Sequence, residues 1–248
     1  MTIVCAVLKV GSTPWKIFAM APPVMATHYG IEYNSHFTNC HITAIGLIGA
    51  TEQLLIQQGF ILATATFEDT NDHYQGVVFT AMGRDFTFAE ILIIGSSLAG
   101  INFEINQYWG GFSNAVSKLY ALQVFLPYCM FYMMLYGSTY SRFWSTHVFF
   151  FLHMTGGMLT YITAILNVNT MAKIKFSCCF VEPFIYMGIV YMDVAWTEVG
   201  DKEIGLAYLT WYLFLLAKYV MYMRGVITSL LEYLGLPFIT VVKKIKSN

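Results

Sequence analysis

Apolar residues run through this chain in long blocks separated by short polar stretches. A helix needs roughly 20 mainly apolar residues to cross a bilayer. Seven windows approach that pattern: Met1–Ala26, His41–Phe67, Phe86–Ile105, Lys118–Gly137, Ser145–Leu166, Cys178–Ala195 and Ile204–Leu234. Lys9, Pro14, Lys16, Pro22 and Pro23 interrupt the first, leaving six clean windows and a weaker seventh. The last exceeds one crossing and is expected to leave the membrane as an amphipathic helix, bounded by Gly235 and Pro237. The expected fold class is all-α: a polytopic membrane bundle of six to seven transmembrane helices, because a helix satisfies its own backbone polar groups in lipid. A single transmembrane domain is expected over 1–248, with an irregular N-terminal segment at 1–40, the helical bundle at 41–234 and a basic tail at 235–248. No internal repeat and no polar stretch long enough for a soluble domain interrupts it.

Composition sharpens this. Hydrophobic residues make up 57% of the 248, aromatics 17% and charged residues 11%, with mean hydropathy +0.60. An average globular chain carries about 25% charged residues, so a soluble particle is excluded. The formal net charge of −1 removes any general attraction to nucleic acid. Cys5, Cys40, Cys129, Cys178 and Cys179 form neither a disulfide framework nor a zinc-like array. Acidic residues cluster between windows at Glu68, Asp69, Asp72 and Asp85, and again at Glu198, Asp201 and Glu203. If all seven windows cross, Lys118, Lys173, Lys175, Lys243, Lys244 and Lys246 share one side, against Arg84, Arg142 and Lys202 on the other. The positive-inside rule then places the C-terminus in the cytosol or mitochondrial matrix. Neither a cleavable secretory signal nor an Arg-rich transit peptide is evident, so targeting is expected to be internal.

Ionisable groups inside spans are costly and are candidates for function. They are Glu52, Glu90, Glu104, Glu182, Asp193, Lys218 and Arg224. Glu90, Glu104 and Arg224 fall near predicted span ends, where snorkelling suffices. Asp193 and Lys218 lie deeper and suit pairing between neighbouring helices. Glu52 sits inside an apolar run. His36 and His41 are five apart and His147 and His153 six apart, which does not suit two metal ligands on one helical face. Phe149–Phe151 and the run Tyr128–Tyr136 are expected to face lipid and neighbouring helices, and Gly156-Gly157 to allow a close helix crossing.

The run His28-Tyr29-Gly30-Ile31-Glu32-Tyr33-Asn34-Ser35-His36-Phe37-Thr38-Asn39, followed by Gly49-Ala50-Thr51-Glu52-Gln53-Leu54-Leu55-Ile56, resembles the choline/ethanolamine phosphotransferases of the CDP-alcohol phosphotransferase superfamily. The far end, Gly225 to Leu236 leading into a basic tail, is similar to the close of that family. In the family, catalysis depends on D-G-x-x-A-R-x(8)-G-x-x-x-D-x-x-x-D, whose aspartates hold divalent metal ions against the CDP diphosphate. This chain has five aspartates, Asp69, Asp72, Asp85, Asp193 and Asp201; none precedes a glycine and no two are four apart. The resemblance therefore implies the distal helices of such an enzyme without its catalytic constellation. One wall glutamate, Glu52, cannot hold a metal pair.

These readings converge on a truncated, non-catalytic membrane protein that serves as a structural accessory subunit of a multi-subunit complex. The expected host is the respiratory chain or ATP synthase of the mitochondrial inner membrane. Its partners would be other membrane subunits and membrane lipids, with no nucleic acid. Glu52, Thr51 and Asn39 would line a remnant lipid cavity, and Lys243, Lys244 and Lys246 would touch lipid headgroups. No metal or cofactor is expected beyond a bound phospholipid. The alternatives are part of an active choline/ethanolamine phosphotransferase, with the endoplasmic reticulum as location, or a lipid-binding or transport protein.

Overall fold

The computed structural model describes residues 14–40, 44–45, 48–49, 76–81, 83–177, 180–196 and 198–235. Six helices dominate them: α1 (Pro14–Thr38), α2 (Phe88–Asn114), α3 (Lys118–Ser138), α4 (Trp144–Met171), α5 (Glu182–Ala195) and α6 (Asp201–Leu234). Two small antiparallel hairpins accompany them, β1 (Ala44–Ile45) with β2 (Ile48–Gly49), and β3 (Val77–Ala81) with β4 (Arg84–Thr87). The all-α class stands. By length and composition α2, α3, α4 and α6 can each cross a membrane.

Local chemistry sets the helix ends. Thr87 caps α2 by accepting from the Glu90 N–H, and Ser117 caps α3 by accepting from the Tyr120 N–H. Gly235, at φ 64°, closes α6 in the left-handed conformation that glycine adopts without penalty. The links between α2 and α3, and between α3 and α4, are too short for anything but antiparallel neighbours.

Three sequence expectations change. Residues 14–38, expected to be irregular, form a 25-residue helix. Pro14 opens it, where a missing N–H costs nothing, and its most extensive packing is against α2. The window Cys178–Ala195 contains a helix of only 14 residues, roughly 21 Å long and short of the ~30 Å hydrocarbon core. The window His41–Phe67 begins with the β1–β2 hairpin rather than a helix; residues 50–67 lie outside the described residues.

α1 and α2 run parallel. Lys16 pairs with Glu90 near their starts (3.2 Å), the Ser97 hydroxyl donates to the Ala19 carbonyl, and Asn34 donates to Gln107 near their ends (2.8 Å). Small residues let the backbones approach. A Cβ at Gly100 would lie 2.7 Å from Pro23 Cβ, and one at Gly111 2.6 Å from the Tyr33 ring. Gly156, expected at a close crossing, lies where α4 meets Met25 of α1. Tyr29 and Tyr33 donate to the Val124 and Ala121 carbonyls of α3, and Asn167 of α4 donates to Glu32 (2.9 Å). α1 is thus a polar-laced helix whose hydrogen bonds tie three apolar neighbours together.

Phe151 is buried in the core, whereas Phe149 and Phe150 pack on it only in part. α4 is kinked at His147, whose φ of −127° is non-helical. The 34 residues of α6 are buried only at Ile204, Tyr208, Trp211 and Leu215, one stripe along its first half.

Candidate functional site

The bundle has two chemically different ends. At the first, Arg142 is the hub. Its Nε donates to the Asp193 carboxylate (2.6 Å) and its Nη1 to Asp201 (2.9 Å), and the fork also reaches the Asp193, Trp196 and Val199 carbonyls. Asp193 is fully buried and accepts further from Ser141 (2.5 Å) and Tyr208 (3.1 Å). Glu90 is held at the same end by Lys16 and Arg84. Deeper in the bundle, Lys218 of α6 pairs with Glu182 at the start of α5. Asp193 and Lys218 therefore do pair between elements, as expected, and their partners are Arg142 and Glu182.

The second end gathers the close of α1, the start of α3 and the close of α4. His36 anchors it, with Nδ1 2.8 Å from Thr170 Oγ1 and Nε2 2.7 Å from the Tyr120 hydroxyl. The Thr170 hydroxyl donates to the Leu166 carbonyl, so it can only accept from Nδ1–H. Nε2 is then the acceptor for Tyr120 O–H, which itself accepts from the Phe176 N–H (2.7 Å). This directed chain is the one a neutral imidazole makes, and burial lowers the His36 pKa from the ordinary histidine value. Beside it opens a depression of about 780 Å³, lined by His36, Asn39, Tyr120, Thr170, Lys173 and Lys175. Asn39 and Lys173 both sit in the left-handed region, at φ 54° and 55°. Lys118 lies at the same end, so Lys118, Lys173 and Lys175 share one side as the loop charges suggested.

Of the expected cavity residues, Asn39 lines this basic shelf. Thr51, Glu52, Lys243, Lys244 and Lys246 lie outside the described residues.

No known protein family, curated protein or solved structure matches the chain.

A third feature lies midway down the bundle. Glu104 was expected near a span end, free to snorkel. Instead α2 continues to Asn114, which leaves Glu104 ten residues short of the helix end and 2% exposed. Tyr128 of α3 donates to its Oε2 (2.7 Å), while its Oε1 and the Tyr108 hydroxyl are buried with no partner. Tyr108 stacks edge-on against Phe125 (4.9 Å) and tilts against Tyr128 (4.6 Å); Tyr128 contacts Tyr132 (4.8 Å). These rings line a groove of about 820 Å³ between α2 and α3. The sequence signal was present in the i,i+4 pairs Glu104–Tyr108 and Tyr128–Tyr132, which share a helical face. Ending the span at Ile105 concealed it. Among the described residues no three His, Cys, Asp or Glu side chains converge as metal ligands would.

Proposed function

We propose that this chain is a non-catalytic, phosphotransferase-like membrane protein that acts as an accessory subunit of a multi-subunit complex, through packing and bound lipid. The observation that carries the reading is how the intramembrane ionisable groups are used. Glu90 is taken up by Lys16 and Arg84, Glu182 by Lys218, Asp193 by Arg142, and Glu32 by Asn167. These pairs join separate elements, as interhelical glue does. Among the described residues no three His, Cys, Asp or Glu side chains gather as they would to hold a metal-bound diphosphate. The patch that resembles the phosphotransferases, His28 to Asn39, spends Tyr29, Glu32, Tyr33, Asn34 and His36 on contacts to α2, α3 and α4. The uncovered length of α6, with large apolar side chains at Val220, Met221, Leu230 and Tyr233 exposed, supports packing against other subunits.

A seven-pass arrangement fits the same geometry. α1 and α2 run in the same direction, and residues 39–87 join the end of one to the start of the other. The non-helical stretch 174–177 and 180–181 with the 14-residue α5 would supply a return, more than half of it helical. The basic shelf at the second end would then face the matrix, or the cytosol if the protein resides in the endoplasmic reticulum, and meet anionic headgroups. We favour the mitochondrial inner membrane.

Two experiments test this. Purified chain given CDP-choline or CDP-ethanolamine, diacylglycerol and magnesium or manganese should form no phospholipid above background; metal-dependent turnover lost in Glu52→Gln contradicts the reading. Deleting the gene should weaken the assembly or shape of the host complex and leave its core chemistry unchanged. Normal assembly after deletion contradicts the accessory role.

A further inference from the structure

The groove around Glu104 is built unlike the rest of the bundle. Glu90, Glu182 and Asp193 are paired with cations and Glu32 accepts from Asn167; here the lining holds no Lys, Arg or His. Glu104 Oε1 and the Tyr108 hydroxyl, four residues apart on one face of α2, are buried without a hydrogen-bond partner. A polar group left unsatisfied within the hydrocarbon region costs several kcal/mol. The groove is also open to lipid, since Ile101, Ile105, Trp109 and Leu122 on its rim are exposed. Its volume of about 820 Å³ lies within the range of small-molecule sites, ~300–1,000 Å³.

We infer that this groove binds a membrane lipid whose only polar atom is a single hydroxyl, of the sterol or long-chain prenol class. The inference rests on the lipid-binding half of the proposed function and not on membership of a complex. A hydroxyl both donates and accepts. It can donate to Glu104 Oε1, and it can donate to or accept from the Tyr108 hydroxyl, so a hydroxyl matches either orphaned group. Other lipids fit worse. A phospholipid headgroup would set its phosphate beside Glu104 with no cation near. A diacylglycerol would bring two ester carbonyls, acceptors only, into a groove lined mainly by apolar rings and aliphatic side chains. The walls themselves are rigid rings, Tyr108, Phe125, Tyr128 and Tyr132 among them, which lose little rotamer entropy when a stiff apolar body lies against them.

The test uses the full chain reconstituted in phosphatidylcholine nanodiscs with photoactivatable probes, read by mapping the crosslinked peptides. The probes are a diazirine sterol with a free hydroxyl, its methyl ether, a diazirine prenol, a diazirine diacylglycerol and a diazirine phosphatidylcholine. The free sterol or the prenol should label residues 101–112 and 122–132, and excess unlabelled sterol or unlabelled prenol identifies which of the two classes is preferred. The methyl ether, which cannot donate, should label the wild-type groove about tenfold less, the size of one lost hydrogen bond to a carboxyl group. Glu104→Leu should reduce labelling by a similar factor, and Glu104→Gln, which still accepts and donates, should retain more than half. The methyl-ether comparison needs no variant, so a folding defect in Glu104→Leu does not decide the outcome. Equal labelling by the hydroxyl probe and its methyl ether, or preferential labelling by the diacylglycerol or phosphatidylcholine probe, overturns the inference. If the groove labels as described while the protein migrates alone, the accessory role fails and the site stands.

Discussion

Replacing Gly100 by alanine probes the parallel contact of α1 and α2, on which the placement of the polar-laced helix depends. The new methyl would sit 2.7 Å from Pro23 Cβ, where ordinary contact begins at 3.4 Å, so the helices must part by about 0.7 Å. Neither side can yield locally, because the Pro23 ring is fixed to its backbone and Cβ has no rotamer. Overpacking of this kind costs about 1–3 kcal/mol. Alanine also raises helix propensity over glycine by about 1 kcal/mol, which masks part of the loss. Gly95 on the same helix supplies the control: it is exposed, and a Cβ there meets nothing within 4 Å. Gly95→Ala should be neutral or stabilising. The difference between the two variants isolates the strain and should be about 1–3 kcal/mol. Denaturant unfolding in mixed micelles, followed by tryptophan fluorescence, measures both. If Gly100→Ala proves as stable as Gly95→Ala, the close parallel packing of α1 on α2 is wrong.

Four further outcomes follow from the described geometry. Gly111→Ala, whose Cβ would meet the Tyr33 ring at 2.6 Å and the Asn34 Cα at 3.2 Å, should lower the melting temperature more than Gly188→Ala, where the space is open. Asp193→Ala should lower it by several degrees, because Arg142, Ser141 and Tyr208 lose a shared acceptor inside the bundle; an unchanged melt refutes the hub. The lowered His36 pKa means that the folded state binds this proton less readily than the unfolded chain. His36 therefore contributes stability above the unfolded value of about 6.5, which is lost as pH falls below it through the folded pKa. Melts of wild type and His36→Gln between pH 5 and 8, roughly the range over which histidine titrates, should show the slope disappear in the variant. Lys173→Gly should relieve a left-handed non-glycine residue worth about 1 kcal/mol, yet weaken binding to anionic vesicles by about 1 kcal/mol for the lost charge, so melting and vesicle co-sedimentation should move in opposite directions.

The apolar windows foretold α2, α3, α4 and α6, because a membrane span must be apolar along its length whatever surrounds it. They failed where neighbours replace lipid. α1 carries Glu32, Asn34 and His36 in helical register, which lowers its hydropathy, but its neighbours supply the partners that lipid cannot. α5 lies in an apolar stretch of span length, but its helix starts only at Glu182, with Pro183 in the first turn. Asp193 and Lys218 were recognisable as pairing groups from their depth alone. Their partners were not, since Arg142 lies 51 residues from Asp193 and Glu182 lies 36 from Lys218. Glu104 was misjudged for a simpler reason: hydropathy marks the apolar part of a helix, and α2 runs nine residues beyond that part. Its tyrosine partners come from α3, and only the fold brings them to it.

The most direct test of the account is the size of the particle that carries this protein. Membranes from the cells that make it are fractionated into mitochondrial inner membrane and endoplasmic reticulum, extracted in digitonin, and resolved on a native gel with detection of the chain. The account predicts recovery in the inner-membrane fraction, co-migrating with a respiratory or ATP synthase complex many times its own 28.1 kDa. Recovery as a free monomer in the endoplasmic reticulum fraction would contradict it.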